Sequence, residues 1–203
     1  MVLQNDSTTK EKIFFAALHL FGKHGYDNVS VRDLAKEVGV TNPSIYNHYK
    51  SKKDILLELY RYYEAKRKLA IPDFDDAMMN ITTMPPVDFL MSLDYRVSPD
   101  LEDTVYMILS IAARLISTDS DSKQFLIDNL INSVKERIYP ATLKLLELKL
   151  IEPFDVEDFI NILIHFCFSG IAFLATDLKV DNETWEKRLR FLYSSCIKPI
   201  QQK

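Results

Sequence analysis

Glycine is scarce in this sequence: the 203 residues include only four, at positions 22, 25, 39 and 170. Folds rich in β-strands usually need glycine in their turns, so the scarcity favours an all-helical protein. The apolar fraction of 47% and the charged fraction of 27% are ordinary for a globular protein and exclude a disordered or low-complexity chain. The length suffices for one large domain or two small ones.

Cysteine and long apolar runs are also scarce. Cys167 and Cys196 are too few for a disulfide scaffold, and we expect both to be free, buried thiols. The N-terminal stretch MVLQNDSTTKEK lacks the apolar core of a signal peptide. The longest apolar run, Ile162 to Ala175, is too short to span a bilayer and contains polar residues. These absences predict a cytoplasmic protein that makes no use of a membrane.

Motifs for catalysis and metal binding are missing as well. The sequence has neither a phosphate-binding glycine loop nor a nucleophile motif. His165 and Cys167 lie two positions apart on an expected helix, so they point in different directions and are poorly placed to chelate one ion. The acidic stretch over 73–84 lacks the glycine and the terminal glutamate of a calcium loop. We therefore expect no enzyme activity, no metal and no cofactor.

Acidic residues are absent from the stretch GVTNPSIYNHYKSKK, positions 39–53, although the whole chain has a formal net charge of −4. Residues 1–70 hold 12 Lys and Arg against 8 Asp and Glu, whereas residues 71–203 hold 13 against 21. The asymmetry predicts a basic N-terminal module on an acidic body. A solvated basic face without a function gives the same count.

Start and stop signals divide the N-terminal module into short helices. Thr8 and Ser30 each precede an acidic residue by three positions, which is the spacing of a helix cap. Gly39 is expected to end a helix of about two turns with a positive φ, and Thr41 to cap the next helix, which has Pro43 in its first turn. Two short helices joined by a tight turn, with a third helix before them, are the outline of a helix-turn-helix motif.

The second short helix has an outward face of hydrogen-bonding groups without negative charge. Base edges and phosphates require such groups, and lysines that can meet phosphates follow directly. Ile45 is expected to face inward and lock this helix onto the preceding one. A plain helical bundle with solvated lysines fits the same spacing equally well.

The acidic body shows only helical periodicity. A linker is expected over 72–86, and Pro140 is expected to kink the longest helix. The helix after Asp155 is apolar nearly all round and is expected to be buried on more than one side. The expected helices cover about 87–95, Ser98 to Ile116, Ser122 to Leu150, 155–178 and 182–200.

The segment from Thr8 to Tyr60, TTKEKIFFAALHLFGKHGYDNVSVRDLAKEVGVTNPSIYNHYKSKKDILLELY, resembles the N-terminal domain of the tetracycline-repressor (TetR) family. The likeness includes the characteristic run from the Gly-Val turn through Tyr-x-His-aromatic-Lys-x-Lys. It implies an all-α fold: a three-helix helix-turn-helix DNA-binding domain over 1–52 and a helical effector-binding and dimerisation domain over 53–203, linked by a helix over 52–69.

The resemblance also implies which residues contact DNA. Arg32 aligns with a position that reaches a guanine. The positions that align with base contacts are Asn42, Pro43 and Tyr46, and those that align with phosphate contacts are Ser44, Asn47, His48 and Lys52. At Asn42 and Asn47 the sequence departs from many members of the family, which affects the expected base preference.

Family members act as dimers that a small molecule releases from DNA. The resemblance thus implies a repressor that binds a palindromic operator and has a largely apolar effector, with a homodimer interface formed by the helices over 155–178 and 182–200. Arg114 and His165 interrupt apolar helices and are candidates to meet a polar group of the effector; an internal ion pair for Arg114 and a carbonyl bond for His165 are the competing interpretations.

Three other functions remain open on the sequence alone. The first is a DNA-binding activator or architectural protein of the same fold that no ligand releases. The second is a ligand-binding or interaction module that no longer reads DNA, which the intact basic stretch opposes. The third is an enzyme on a helical scaffold, which catalytic motifs would have indicated.

Overall fold

The computed structural model describes residues 8–93, 102–176 and 180–200. In these ranges the chain is built from helices, with an isolated bridge between Ile151 and Pro199. In chain order the α-helices are α1 Thr9–His24, α2 Val31–Val38, α3 Asn42–Tyr46, α4 Lys52–Ala70, α5 Phe74–Met78, α6 Pro86–Ser92, α7 Glu102–Leu115, α8 Ser120–Leu126, α9 Tyr139–Glu147, α10 Val156–Ala175 and α11 Asn182–Cys196. The all-α fold class is confirmed.

The N-terminal helices begin where the sequence predicts. Thr8 and Ser30 each form a complete capping box. The hydroxyl accepts from the backbone N–H three residues later, and the carboxylate of that later residue accepts from the backbone N–H of the cap residue. The side chain of Ser51 caps α4 by accepting from the N–H of Asp54. Helices α1, α2 and α4 therefore have starts that are fixed by side-chain caps.

Two cores hold the molecule together. The first includes Phe21 of α1, Leu34 of α2 and Leu59 of α4, and it continues into Ile108 of α7 and Phe125 of α8. The second joins α5, α6, α9, α10 and α11. The N-terminal helices are thus packed directly on α7 and α8, so a movement of either helix bears on them.

The longest helical stretch widens in its middle. Two π-helical segments, Ile127–Asn132 and Val134–Ile138, lie between α8 and α9. Pro140 follows directly in the first turn of α9, and it has no N–H to donate to the carbonyl four residues earlier. The sequence predicted a kink at Pro140, and the structure has π-helical turns before this residue. Such turns are frequent at functional sites.

Some expectations for the body need correction. The expected linker over 72–86 contains the short helix α5, capped by Asp73. The expected start of α7 at Ser98 lies outside the described residues. Helix α10 is buried along one face only, because Ile162 and Phe168 are 45% and 48% exposed in the single chain. By length and composition α10 is the one helix in the described ranges that meets the criteria for a membrane span, which is weak evidence because core helices meet the same criteria.

Candidate DNA-binding surface and internal cavity

The turn between α2 and α3 depends on one glycine. Gly39 has φ 76° and ψ 33°, the left-handed conformation, and its N–H bonds the carbonyls of Ala35 and Lys36. A Cβ added at Gly39 meets nothing within 4 Å, so the requirement for glycine lies in the backbone conformation and not in space. The N–H of Val40 also bonds the Ala35 carbonyl at 2.9 Å. This turn fixes the angle at which α3 leaves α2.

Helix α3 is held from its inner side. Ile45 is 1% exposed and packs into the first core, as predicted. Tyr49 is 3% exposed, and its hydroxyl donates to the backbone carbonyl of Lys10 at 3.4 Å. Burial raises the pKa of Tyr49 to about 12, so the phenol stays protonated and can remain a donor at neutral pH. Thr41 stands at the cap position, but its hydroxyl bonds the hydroxyl of Ser44 at 2.8 Å and caps no backbone N–H.

The outer side of α3 is open to solvent. Tyr46 is 54% exposed, so Ile45 and not Tyr46 supplies the packing of this helix. Asn42 and Ser44 are half-buried, and the exposed residues predicted to contact DNA are Arg32, Pro43, Tyr46, Asn47 and His48. Seven of the eight predicted contacts therefore lie on α2, on α3 or in the turn directly after α3, with their side chains at least partly accessible.

Lys52, the eighth predicted contact, faces inward. Its ammonium donates to the carbonyl oxygens of Tyr26 and Val29, each at 2.9 Å, and lies 4.1 Å from the centroid of the Tyr26 ring. These contacts fasten the start of α4 to the loop between α1 and α2. These bonds use two of the three N–H donors of the Lys52 ammonium, whereas Lys50 is exposed.

A cavity of about 380 Å³ lies in the body. This volume falls within the roughly 300–1,000 Å³ typical of ligand pockets. The wall is mainly apolar and aromatic, and it includes Trp185, the only tryptophan of the chain. The charged and amide-bearing side chains among its described members are those of Arg67, Asn129, Asn182 and Glu186. Both Asn129 and Ser133 come from the π-helical stretch, so the widened turns form part of this wall.

Neither predicted effector contact lines this cavity. The guanidinium of Arg114 donates to the carbonyl of Gly22 at 2.8 Å and to the hydroxyl of Ser110 at 3.0 Å, so it links α7 to the end of α1. His165 is exposed and lines a shallow groove between α10 and α11. Arg114 therefore lies at a contact between helices, and His165 lies on an outer face. The prediction was based on helical periodicity, which does not show which side of a helix faces a cavity.

Arg67 is a cavity residue that was not predicted from the sequence. It lines the cavity from the last turn of α4, and its Nε is buried without a hydrogen-bond partner in the described part of the chain. The spacing could have indicated this role. Arg67 lies four residues after Tyr63 and seven after Tyr60, both buried, so it continues the buried stripe of α4. The run of charges AKRK disguised this position as part of a solvated face.

The outer face formed by α10 and α11 is apolar. Phe191 of α11 is 76% exposed, and Ile162 and Phe168 of α10 are about half exposed. Groove residues between these helices include His165 and Ser169. Exposed apolar side chains that lie together are typical of an interaction site.

These features define a helix-turn-helix protein with a cavity in its helical body. Comparison with known proteins finds the likeness in the N-terminal part: residues 13–59 match the model of bacterial regulatory proteins, tetR family. The negative regulator IcaR of the biofilm operon icaADBC in Staphylococcus aureus is 44% identical over 46 residues, which cover 23% of this chain and 25% of IcaR. The alignments with the first curated relatives span less than two fifths of those proteins' own lengths.

The whole described fold also has counterparts among solved structures. The TetR-family regulator PfmR of Thermus thermophilus matches with TM-score 0.65 and 18% identity, over 94% of this chain and 99% of PfmR. A transcriptional regulator of Saccharomonospora viridis in complex with choline matches with TM-score 0.63 and 22% identity, over 93% of this chain and 96% of that one. The resemblance to the TetR family is thereby confirmed, and the relatives are transcriptional regulators and not enzymes.

Proposed function

We propose that this protein is a transcriptional repressor that binds a palindromic operator as a homodimer and is released by a small, largely apolar effector. The observation that carries the proposal is the exposed, acid-free face of α3, held by a buried Ile45 and connected by α4 to a wall of the cavity. IcaR is a negative regulator, which favours repression. The choline complex of the Saccharomonospora viridis protein is an example of this fold with a small molecule.

The proposed DNA contacts divide into two groups. Tyr46, Asn42 and Pro43 meet bases, and Arg32 reaches a guanine from α2. Ser44, Asn47 and His48 meet phosphates, which position the helix but carry no sequence information. For Lys52 we propose a supporting role, because its ammonium already bonds two backbone carbonyls.

The proposed dimer covers the outer face of α10 and α11. A recognition helix of five residues contacts few base pairs, so a specific site needs two copies of it. The exposed Phe191, Ile162 and Phe168 supply the apolar core of such an interface. Burial of these side chains also accounts for the apolar composition of α10 without a membrane. A DNA-binding protein must share a compartment with DNA, so we propose a cytoplasmic location.

Release requires that the effector favour a different arrangement of the two recognition helices. Helix α4 has its first residues in the DNA-binding module, whereas Tyr63 and Arg67 near its other end line the cavity. Arg114 gives a second connection, because it bonds the Gly22 carbonyl of α1. A ligand shifts operator affinity only by its differential affinity for the two arrangements. The alternative function is an activator or architectural protein, which shares the DNA surface but is not released.

Selection of sites from a random duplex library by the purified protein tests the proposal. We expect enrichment of a palindrome whose half-sites lie one or more helical turns apart, about 34–36 Å per turn. The Tyr46→Ala variant is the matched control, since it removes an exposed base contact and leaves the core intact. A protein that enriches no sequence, even after denaturation and refolding to remove a bound effector, would refute DNA reading.

A further inference from the structure

The cavity contains a positive group that the protein itself leaves incompletely bonded. Arg67 lies in the last turn of α4, and its Nε is buried without a hydrogen-bond partner among the described residues. Buried polar groups in native proteins are nearly always bonded, and exceptions at a cavity wall point to a missing ligand or water. A guanidinium is suited to planar, doubly bonded recognition of a carboxylate or phosphate.

Among the described residues of the cavity wall, the other charged side chain is that of Glu186, which does not neutralise Arg67. Glu186 lies 3.8 Å from the guanidinium of Arg190, which also binds Asp88. No ion pair joins Arg67 to an acid anywhere in the described ranges. The guanidinium of the half-buried Arg67, with its Nε buried, therefore faces the cavity without a counter-ion among the described residues.

The remaining wall fits an apolar body. Met91, Leu109 and Leu163 line the cavity together with the aromatic rings of Phe173 and Trp185. A volume of about 380 Å³ accommodates a small molecule with a single charged end.

On these grounds, and resting on the proposed function of the cavity as an effector site, we propose that the effector is an amphipathic anion. Its acidic head group, a carboxylate or a phosphate, pairs with Arg67, and its apolar part fills the space between α7, α10 and α11. Since Arg67 belongs to α4, the ion pair forms on the helix that leads to the DNA-binding module. The competing ligand class is a cation held by Glu186 and the aromatic rings.

The experiment uses three ligands with the same ten-carbon chain: decanoate, decanol and decyltrimethylammonium. Binding to the refolded, ligand-free protein is followed through the fluorescence of Trp185, which lines the cavity and is the only tryptophan. The variants are Arg67→Gln and Arg67→Lys, with Lys68→Gln as the matched control that removes an exposed charge from the same turn. Thermal unfolding of each variant confirms that it folds.

We expect decanoate to bind the parent protein about 10- to 100-fold more tightly than decanol, as for a hydrogen bond to a charged group. Arg67→Gln removes this preference, Arg67→Lys retains part of it, and Lys68→Gln leaves it intact. Equal binding of decanoate and decanol, a preference for decyltrimethylammonium, or a decanoate preference that survives Arg67→Gln would overturn the inference.

Operator release is measured separately with the selected palindrome. Decanoate that binds through Arg67 without changing operator affinity would support the anion site and refute ligand release. Release by a neutral or cationic compound that ignores Arg67 would support the proposed function and refute the anion site. The two ideas therefore fail by different results.

Discussion

Replacement of Lys52 by methionine tests whether this side chain fastens the structure or contacts DNA. Methionine keeps an apolar stem of similar length and removes the ammonium. The change therefore deletes the two 2.9 Å bonds to the carbonyls of Tyr26 and Val29 and the contact with the Tyr26 ring. Lys50→Met is the matched control, because Lys50 is exposed two residues earlier.

The expected loss of stability follows from these contacts. A hydrogen bond to a charged group contributes about 1.5–3 kcal/mol, and a cation–π contact at an exposed site about 0.5–1 kcal/mol. The two bonds share one ammonium that is only half-buried, so they do not add in full, and we expect a total of about 2 kcal/mol. For a chain of this length that corresponds to a fall in Tm of about 4–8 °C. The Lys50→Met variant is expected to change stability by less than about 0.5 kcal/mol.

Urea denaturation followed by circular dichroism gives the stability, and fluorescence anisotropy with operator DNA at several salt concentrations gives the binding slope. A phosphate contact adds roughly one to the slope of log affinity against log salt concentration. We expect Lys52→Met to lower stability and leave this slope unchanged. The reasoning is refuted if the variant keeps the parent stability and loses about one unit of slope, because Lys52 would then be a phosphate contact.

Three further changes test other parts of the structure. Burial acts to raise the pKa of Asp119. Hydrogen bonds from Lys53 and from Ser122 outweigh this effect and hold the pKa of Asp119 below its usual value. Its contribution to stability is therefore present above the unfolded pKa of about 3.9 and is lost as the pH falls through the lower folded value. Asparagine keeps the helix cap but removes the charge that pairs with Lys53, so Asp119→Asn is expected to cost at most about 1 kcal/mol at pH 7 and progressively less below pH 4. Urea denaturation at several pH values measures this cost, and a cost that does not change with pH would contradict the prediction. A Cβ on Gly170 lies 2.8 Å from the Trp185 ring, so Gly170→Ala should shift the Trp185 emission and weaken decanoate binding, and an unchanged spectrum would contradict the packing. Phe191→Asp should give a monomer with an unchanged helical spectrum in size-exclusion chromatography, and a persistent dimer would place the interface elsewhere.

The sequence determined the local structure of the DNA-binding module. The caps at Thr8 and Ser30 and the glycine at position 39 act within a few residues of themselves, so their spacing is sufficient to predict the helix ends. The division of α3 into an inner Ile45 and an outer Tyr46 follows from helical periodicity in the same way. The resemblance from Thr8 to Tyr60 rests on the same short-range features.

The tertiary structure alone decided what the long basic side chains do. Lys52 bonds carbonyls 23 and 26 positions away, and Arg114 bonds a carbonyl 92 positions away. Arg67 lines a cavity whose other walls come from helices that are distant in sequence. A lysine or arginine looks the same in a sequence whether it lies in solvent, on a backbone carbonyl or beside a ligand. Its role depends on which distant backbone and side-chain groups the packing of the helices brings within about 3 Å.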